Sequence, residues 1–233
     1  MNIKIFADGA DKKTILELAN NPLIRGLTTN PTLMRKAGVK DYKDFALDIL
    51  REVQHIPISL EVFEDSPLRM YSQALEIDSW GNNVYVKIPV TTTKKQECYD
   101  IINKLSHDRV KVNVTAVMTL DQVMESAEAL QGGAPSYISV FAGRIADTGR
   151  DPIPRMAKAL SIIRDISPNI ELIWASPREL LNIVQADHIG CHIITATKDI
   201  LDKLPLIGKN LEDYSLDTVK MFYKDAQESG FKL

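Results

Sequence analysis

Asn83-Val84-Tyr85-Val86-Lys87-Ile88-Pro89-Val90 is an apolar run broken by one charge. An amphipathic stretch, Lys94 to Leu105, follows it, and then a second apolar run, Val110 to Val117. A continuously apolar, β-branched strand fits a parallel sheet covered on both faces, and a helix between two such strands is the crossover that parallel pairing requires. The same unit recurs along the chain. Candidate strands are Ile3 to Ala7, Gly26 to Asn30, Ile56 to Val62, Asn83 to Val90, Val110 to Val117, Tyr137 to Phe141, Glu171 to Ala175 and Cys191 to Thr195. Candidate helices include Tyr42 to Val53, Lys94 to Leu105, Asp121 to Leu130, Pro154 to Asp165 and Arg178 to Ala186.

About eight alternating units in 233 residues point to an α/β fold, a single (β/α)8 barrel over residues 1–233. The competitor is an open doubly wound sheet, but no GxGxxG follows a first strand. The segment Ser215 to Tyr223 reads as the capped start of an extra C-terminal amphipathic helix, whose apolar face covers the barrel or packs on another subunit.

Composition narrows the function classes. The chain is 45% hydrophobic and 25% charged with a net charge of -3, and its basic residues form neither a nucleic-acid stripe nor a polybasic anchor. Nucleic acid and membrane are therefore not expected partners. The first eight residues are too short and too soon charged for a signal peptide, and no run approaches a membrane span, so a cytoplasmic location is expected. Cys98 and Cys191 lack CxxC spacing, and the four histidines lack HxH or HExxH spacing, so no disulfide framework and no metal site are expected.

Lys87 is the residue out of place. Burial of an ammonium disfavours its charged form and leaves an amine able to attack a carbonyl. Its bland alternative is an edge residue or a stem whose head reaches water. Polar residues also end the other strands: Asp8, Thr28 with Asn30, Glu61, Asn113 with Thr115, Arg144 after the sixth, and Ser176. In a parallel barrel that end is the open, working face. Singly, each has a structural explanation: Asp8-Gly9 as a turn and cap, Thr28 to Pro31 as a strand-to-helix turn, Arg144 and Arg178 as surface ion pairs with Asp147 or Glu179. Their recurrence at one end is what those explanations leave over. Arginine forks suit an anionic oxygen group such as phosphate.

The segments Phe6-Ala7-Asp8-Gly9-Ala10-Asp11, Gly26-Leu27-Thr28-Thr29-Asn30-Pro31-Thr32-Leu33, Ser59-Leu60-Glu61-Val62, Val84 to Pro89, Val112 to Ala116, Ile138 to Ile145 and Ala175 to Arg178 together resemble the transaldolases, in particular the short branch that contains fructose-6-phosphate aldolase. The resemblance implies a class I, Schiff-base enzyme needing no cofactor. It implies Lys87 as the imine-forming lysine, Asp8 as the general acid/base, and Glu61 with Thr115 as holders of a catalytic water. Thr28, Asn30, Asn113 and Ser139 would bind substrate hydroxyls or support the lysine, Phe141 would line the substrate, and Arg144, Ser176 and Arg178 would take its anionic end. Sugar phosphates are the implied partners, along with a homo-oligomeric assembly, pentamer or decamer, in which the C-terminal helix packs on a neighbour.

Glu61 and Phe141 resemble the transaldolases, whereas the aldolase branch carries Gln and Tyr at those positions. Three departures lie at the acceptor or anion end: Gly9 where Thr or Ser is common, Pro177 where an aromatic residue is common, and the loop Ala146 to Asp151. The resemblance thus implies transfer of a dihydroxyacetone unit from a ketose phosphate to an aldose phosphate; the alternatives are a dihydroxyacetone-type aldolase, a transaldolase of a specialised pathway taking an unusual or sulfonated sugar, and a barrel that binds a sugar phosphate without catalysis.

Overall fold

The computed structural model describes residues 1–231. Its elements run β1 (Lys4–Asp8), α1 (Lys12–Ala19), β2 (Ile24–Thr28), α2 (Pro31–Lys36), α3 (Tyr42–Glu52), β3 (Ile58–Glu61), α4 (Pro67–Asp78), β4 (Val84–Pro89) and α5 (Tyr99–His107). They continue with β5 (Val112–Val117), α6 (Leu120–Leu130), β6 (Ser136–Val140), α7 (Ala142–Ala146), α8 (Ile153–Ile166), β7 (Ile170–Trp174), α9 (Leu181–His188), β8 (Ile193–Thr197), α10 (Lys198–Leu201) and α11 (Leu211–Glu228). The eight strands pair in chain order, all parallel, and β1 closes on β8, so the chain forms a (β/α)8 barrel.

Alternation along each strand sorts its side chains between two cores. Leu27, Leu60, Val86, Val114, Ile138 and Leu172 face the helices and join one large buried cluster. The intervening positions fill the barrel: Phe6, Tyr137, Ile173, Ala175 and Ile193 form a second cluster, with Tyr85 and Phe141 packed against it. Tyr85 and Tyr137 stack with centroids 4.0 Å apart, and Phe6 meets Tyr137 edge-on at 5.8 Å. Gly26 makes room for Phe6, since a Cβ there would stand 2.5 Å from the ring. This aromatic layer is a floor, and the polar layer lies above it towards the strand C-termini.

Several boundaries differ from those expected. The second strand is Ile24–Thr28 because Asn30 leaves the sheet to cap α2, its Oδ1 accepting from Leu33 N at 3.0 Å with Pro31 in the first turn. The helix expected from Lys94 begins at Tyr99: Thr91 bridges to Glu97, and Lys95 takes a left-handed φ of 63°, which no helix continues. The helix expected from Arg178 begins at Leu181, because Asn182 Oδ1 accepts the backbone N–H of Arg178 (2.7 Å) and Glu179 (3.2 Å). The C-terminal helix starts before Ser215, at Leu211, where Asn210 accepts from Glu212 N (2.8 Å) and Asp213 N (3.2 Å). Among the described residues, no helix is long and apolar enough to cross a membrane.

Candidate active site

Glu61 and Lys87 are direct partners in the register of β3 and β4, and Asp8 and Thr28 are partners in that of β1 and β2. Parallel pairing therefore sets carboxylate beside amine without any loop's help. Lys87, 6% exposed, donates from Nζ to Glu61 Oε2 and to the Thr29 carbonyl oxygen, both at 2.8 Å. The sequence offered this amine no obvious partner; the adjacent strand and the backbone after β2 supply two. Such a pair adds little net stability because both ions lose water, but removing either member strands the other. Tyr42 fixes the end of β3 by donating to the Glu61 carbonyl oxygen at 2.8 Å, and burial pushes its phenol up, keeping the proton in place.

Asp8 faces the same space from β1. It does not cap a helix, as Asp8-Gly9 alone allowed: that role falls to Asp11, whose Oδ1 accepts from Thr14 N at 2.9 Å. Thr28 donates to Asp8 Oδ1 at 2.8 Å, and Asn30 Nδ2 reaches Oδ2 at 3.4 Å. Burial raises the Asp8 carboxyl above its ordinary range against the pull of Lys87 and the Thr28 hydrogen bond, and the Glu61 charge adds to the rise. A carboxyl that gives up its proton reluctantly and sits in a cleft is suited to acid/base work.

Opposite Asp8, fully buried Asn113 donates to Ser59 Oγ at 3.0 Å and accepts from Ser139 Oγ at 2.7 Å. This chain ties β3, β5 and β6 together beneath the mouth. Thr115 Oγ1 is buried without a hydrogen-bond partner among the described residues. Around it β5 loses register with β6 between Val114 and Val117, and Ala116 takes a left-handed φ of 61°. A buried hydroxyl without a protein partner beside a cleft is free to bond a water or a ligand there.

The mouth is a cavity of about 680 Å³. Asp8, Thr28, Asn30, Glu61, Lys87, Thr115, Ser139, Phe141, Arg144, Ser176 and Arg178 all line it, so the barrel brings together every expected site residue except Asn113, which lies beneath. The Arg144 guanidinium stands 5.7 Å from the Phe141 ring centroid and has no ion pair among the described residues. Arg178 is engaged: its Nε donates to Asp147 Oδ1 at 2.9 Å and its Nη2 to Oδ2, which lowers the Asp147 carboxyl. Ser176 takes a left-handed φ of 60°, and its carbonyl lies so close to Gly143 that a Cβ there would come within 1.6 Å.

Three participants escaped the sequence reading. Ser59 stands two before Glu61 and so shares its side of β3, a signal that was present. Thr195 interrupts the apolar run of the eighth strand as a small residue that passes for core, and its Oγ1 lies 2.6 Å from Thr28 Oγ1. The Thr29 carbonyl has no sequence signal, because any residue supplies one.

A parallel barrel whose C-terminal mouth holds a buried amine beside a carboxylate has the layout of enzymes that work from that face of the fold. A family described as transaldolase/fructose-6-phosphate aldolase matches residues 5–233. The chain belongs to that family. It is 33% identical over 218 residues to a protein of Dehalococcoides mccartyi named probable transaldolase, covering 92% of this chain and 97% of that one. Proteins of the same name from Thermoanaerobacter sp. and Brucella anthropi are 31% and 34% identical, covering 99% and 96% of this chain and the whole of each relative.

Proposed function

We propose that the protein is a transaldolase that moves a dihydroxyacetone unit from a ketose phosphate to an aldose phosphate through an imine at Lys87. The observation that carries this reading is the buried Lys87 amine held 2.8 Å from Glu61, in one cavity with Asp8 and the orphaned Thr115 hydroxyl. Glu61 takes the ammonium proton, and the neutral amine adds to the donor's C2 carbonyl. Loss of water from the adduct, held between Glu61 and Thr115, gives the protonated imine. The Asp8 carboxylate takes the proton from the C4 hydroxyl, the C3–C4 bond breaks, and its electrons pass into the imine to leave an enamine while an aldose phosphate departs. The acceptor aldehyde then meets the enamine carbon, Asp8 returns its proton to the new C4 oxygen, and water releases the product ketose.

Arg144 receives the phosphate, with Ser176 and Arg178 beside it. Phe141 supports transfer over release, since its ring offers no hydroxyl to protonate the enamine. No cofactor enters any of these steps. A cytoplasmic setting belongs to the same reading and fits two buried, free cysteine thiols, and so does assembly of several copies through α11.

Borohydride added with fructose 6-phosphate, followed by peptide mass spectrometry, is expected to label Lys87; a label elsewhere, or none, overturns the assignment. Incubation with donor alone separates transfer from aldol release, because steady free dihydroxyacetone is the product of an aldolase. Lys87→Met separates an enzyme from a sugar-phosphate sensor: the enzyme keeps binding and loses turnover.

A further inference from the structure

Thr28 Oγ1 lies 2.8 Å from Asp8 Oδ1 and 2.6 Å from Thr195 Oγ1. A threonine hydroxyl has one proton to give and two lone pairs to accept with. An ionised carboxylate only accepts. The single Thr28 proton therefore points to Asp8, and the shorter contact is made by the Thr195 hydroxyl donating to Thr28. The direction of this two-hydroxyl chain is tied to the charge of Asp8. Both threonines are buried, at 4% and 6% exposure, where such chains strengthen one another and water does not replace a missing member cheaply. Among the described residues, Asp8 Oδ2 has in contrast only the 3.4 Å approach of Asn30 Nδ2.

We propose that Thr195 is a positioning residue for Asp8: by donating to Thr28 it keeps the Thr28 proton on Asp8 Oδ1, leaving Oδ2 as the oxygen that exchanges a proton with the sugar. The role rests on Asp8 being the acid/base group. Replacing Thr195 by Val keeps the shape and removes the donor, so the Thr28 oxygen loses its proton partner and its own bond to Asp8 weakens. The carboxylate is then less favoured, and Asp8 titrates higher than in the parent. The charged groups that share the cavity with Asp8 are Lys36, Glu61, Lys87, Arg144, Arg178 and Asp199, and none is altered in the variants.

The test has a readout without substrate. Difference infrared titration of the full-length protein, with Asp8→Asn as the spectral reference, follows the Asp8 carboxyl band against pH. Thr195→Val is expected to raise its midpoint by about one pH unit, a tenfold change in ionisation, and Thr195→Ser to restore the parent value. The acidic limb of kcat is expected to move with it by the same margin, with KM for the donor within about twofold. Thr195→Ala carries the same expectation if the valine variant fails to fold. An unmoved midpoint overturns the proposal, and so does a loss confined to KM, which would make Thr195 a sugar contact. A midpoint that moves in a protein showing no turnover with any sugar phosphate leaves the hydroxyl chain standing and overturns the transaldolase reading instead.

Discussion

Asp8 is the residue at which folding and chemistry pull apart. Its carboxyl is raised by burial, so the folded chain holds that proton more tightly than the unfolded chain does. From the ordinary value of 3.8 up to the raised folded value, stability falls as pH rises, and above that window the ionised group is a standing cost. Asp8→Asn removes the cost and with it the acid/base group. Its expected signature is a Tm above the parent's at pH 7, a gap that shrinks on acidification towards pH 4, and a kcat lower by about 10²–10⁴-fold. Calorimetry across pH and steady-state rates check both; a Tm difference that does not vary with pH counts against a perturbed Asp8. The same tension explains what the sequence made legible here. Lys87, Asp8 and Glu61 stood out because ionisable side chains inside or at the end of apolar runs need a reason, whereas Thr195 is small and apolar enough in a strand to pass as core.

Among the elements, strand periodicity did most to place the site. Side chains alternate along β1, β3, β4 and β5, so reading every second residue from Asp8, Glu61, Lys87 and Thr115 recovers the barrel interior. Helix starts were less legible because they depend on which side chain captures a backbone N–H: Asn182 holds Arg178 and Glu179 out of α9, and Asn210 begins α11 ahead of Ser215. The short helix α7 shows how an element can aim a functional group. Gly143 lets α7 approach the loop after β7 so closely that any Cβ would meet the backbone of Ser176, which cannot rotate away as a side chain would. Gly143→Ala is expected to push apart the turn carrying Arg144 and the loop carrying Ser176. We expect a loss of about 1–3 kcal/mol and a several-fold rise in KM for the phosphorylated donor. Unphosphorylated dihydroxyacetone should still trap on Lys87, since the amine lies on another strand. Thermal melts and the two borohydride experiments check this; loss of trapping with dihydroxyacetone would mean that the damage reaches beyond the anion end.

At the scale of the molecule, the feature the barrel leaves unexplained is α11. None of its 18 residues is buried, yet Leu216, Val219, Phe222 and Tyr223 recur at helical spacing and are 52%, 59%, 63% and 69% exposed. A helix of this length is marginal in water without a face to bury, and its own barrel buries none of it. The proposed occupant of that face is a second copy of the chain, consistent with the assembly the sequence resemblance implied. Light scattering of the full chain is then expected to give a multiple of 26.1 kDa. Ending the chain after residue 210, or introducing Phe222→Glu, should give the single-chain mass. Because α11 contributes nothing to either barrel cluster, the shortened chain should keep its far-ultraviolet circular dichroism per residue in the barrel and its borohydride label at Lys87. A single-chain mass for the full chain would reject the assembly. An unchanged multiple after truncation would move the contact to another surface, because the shortened chain has no α11 left to supply it.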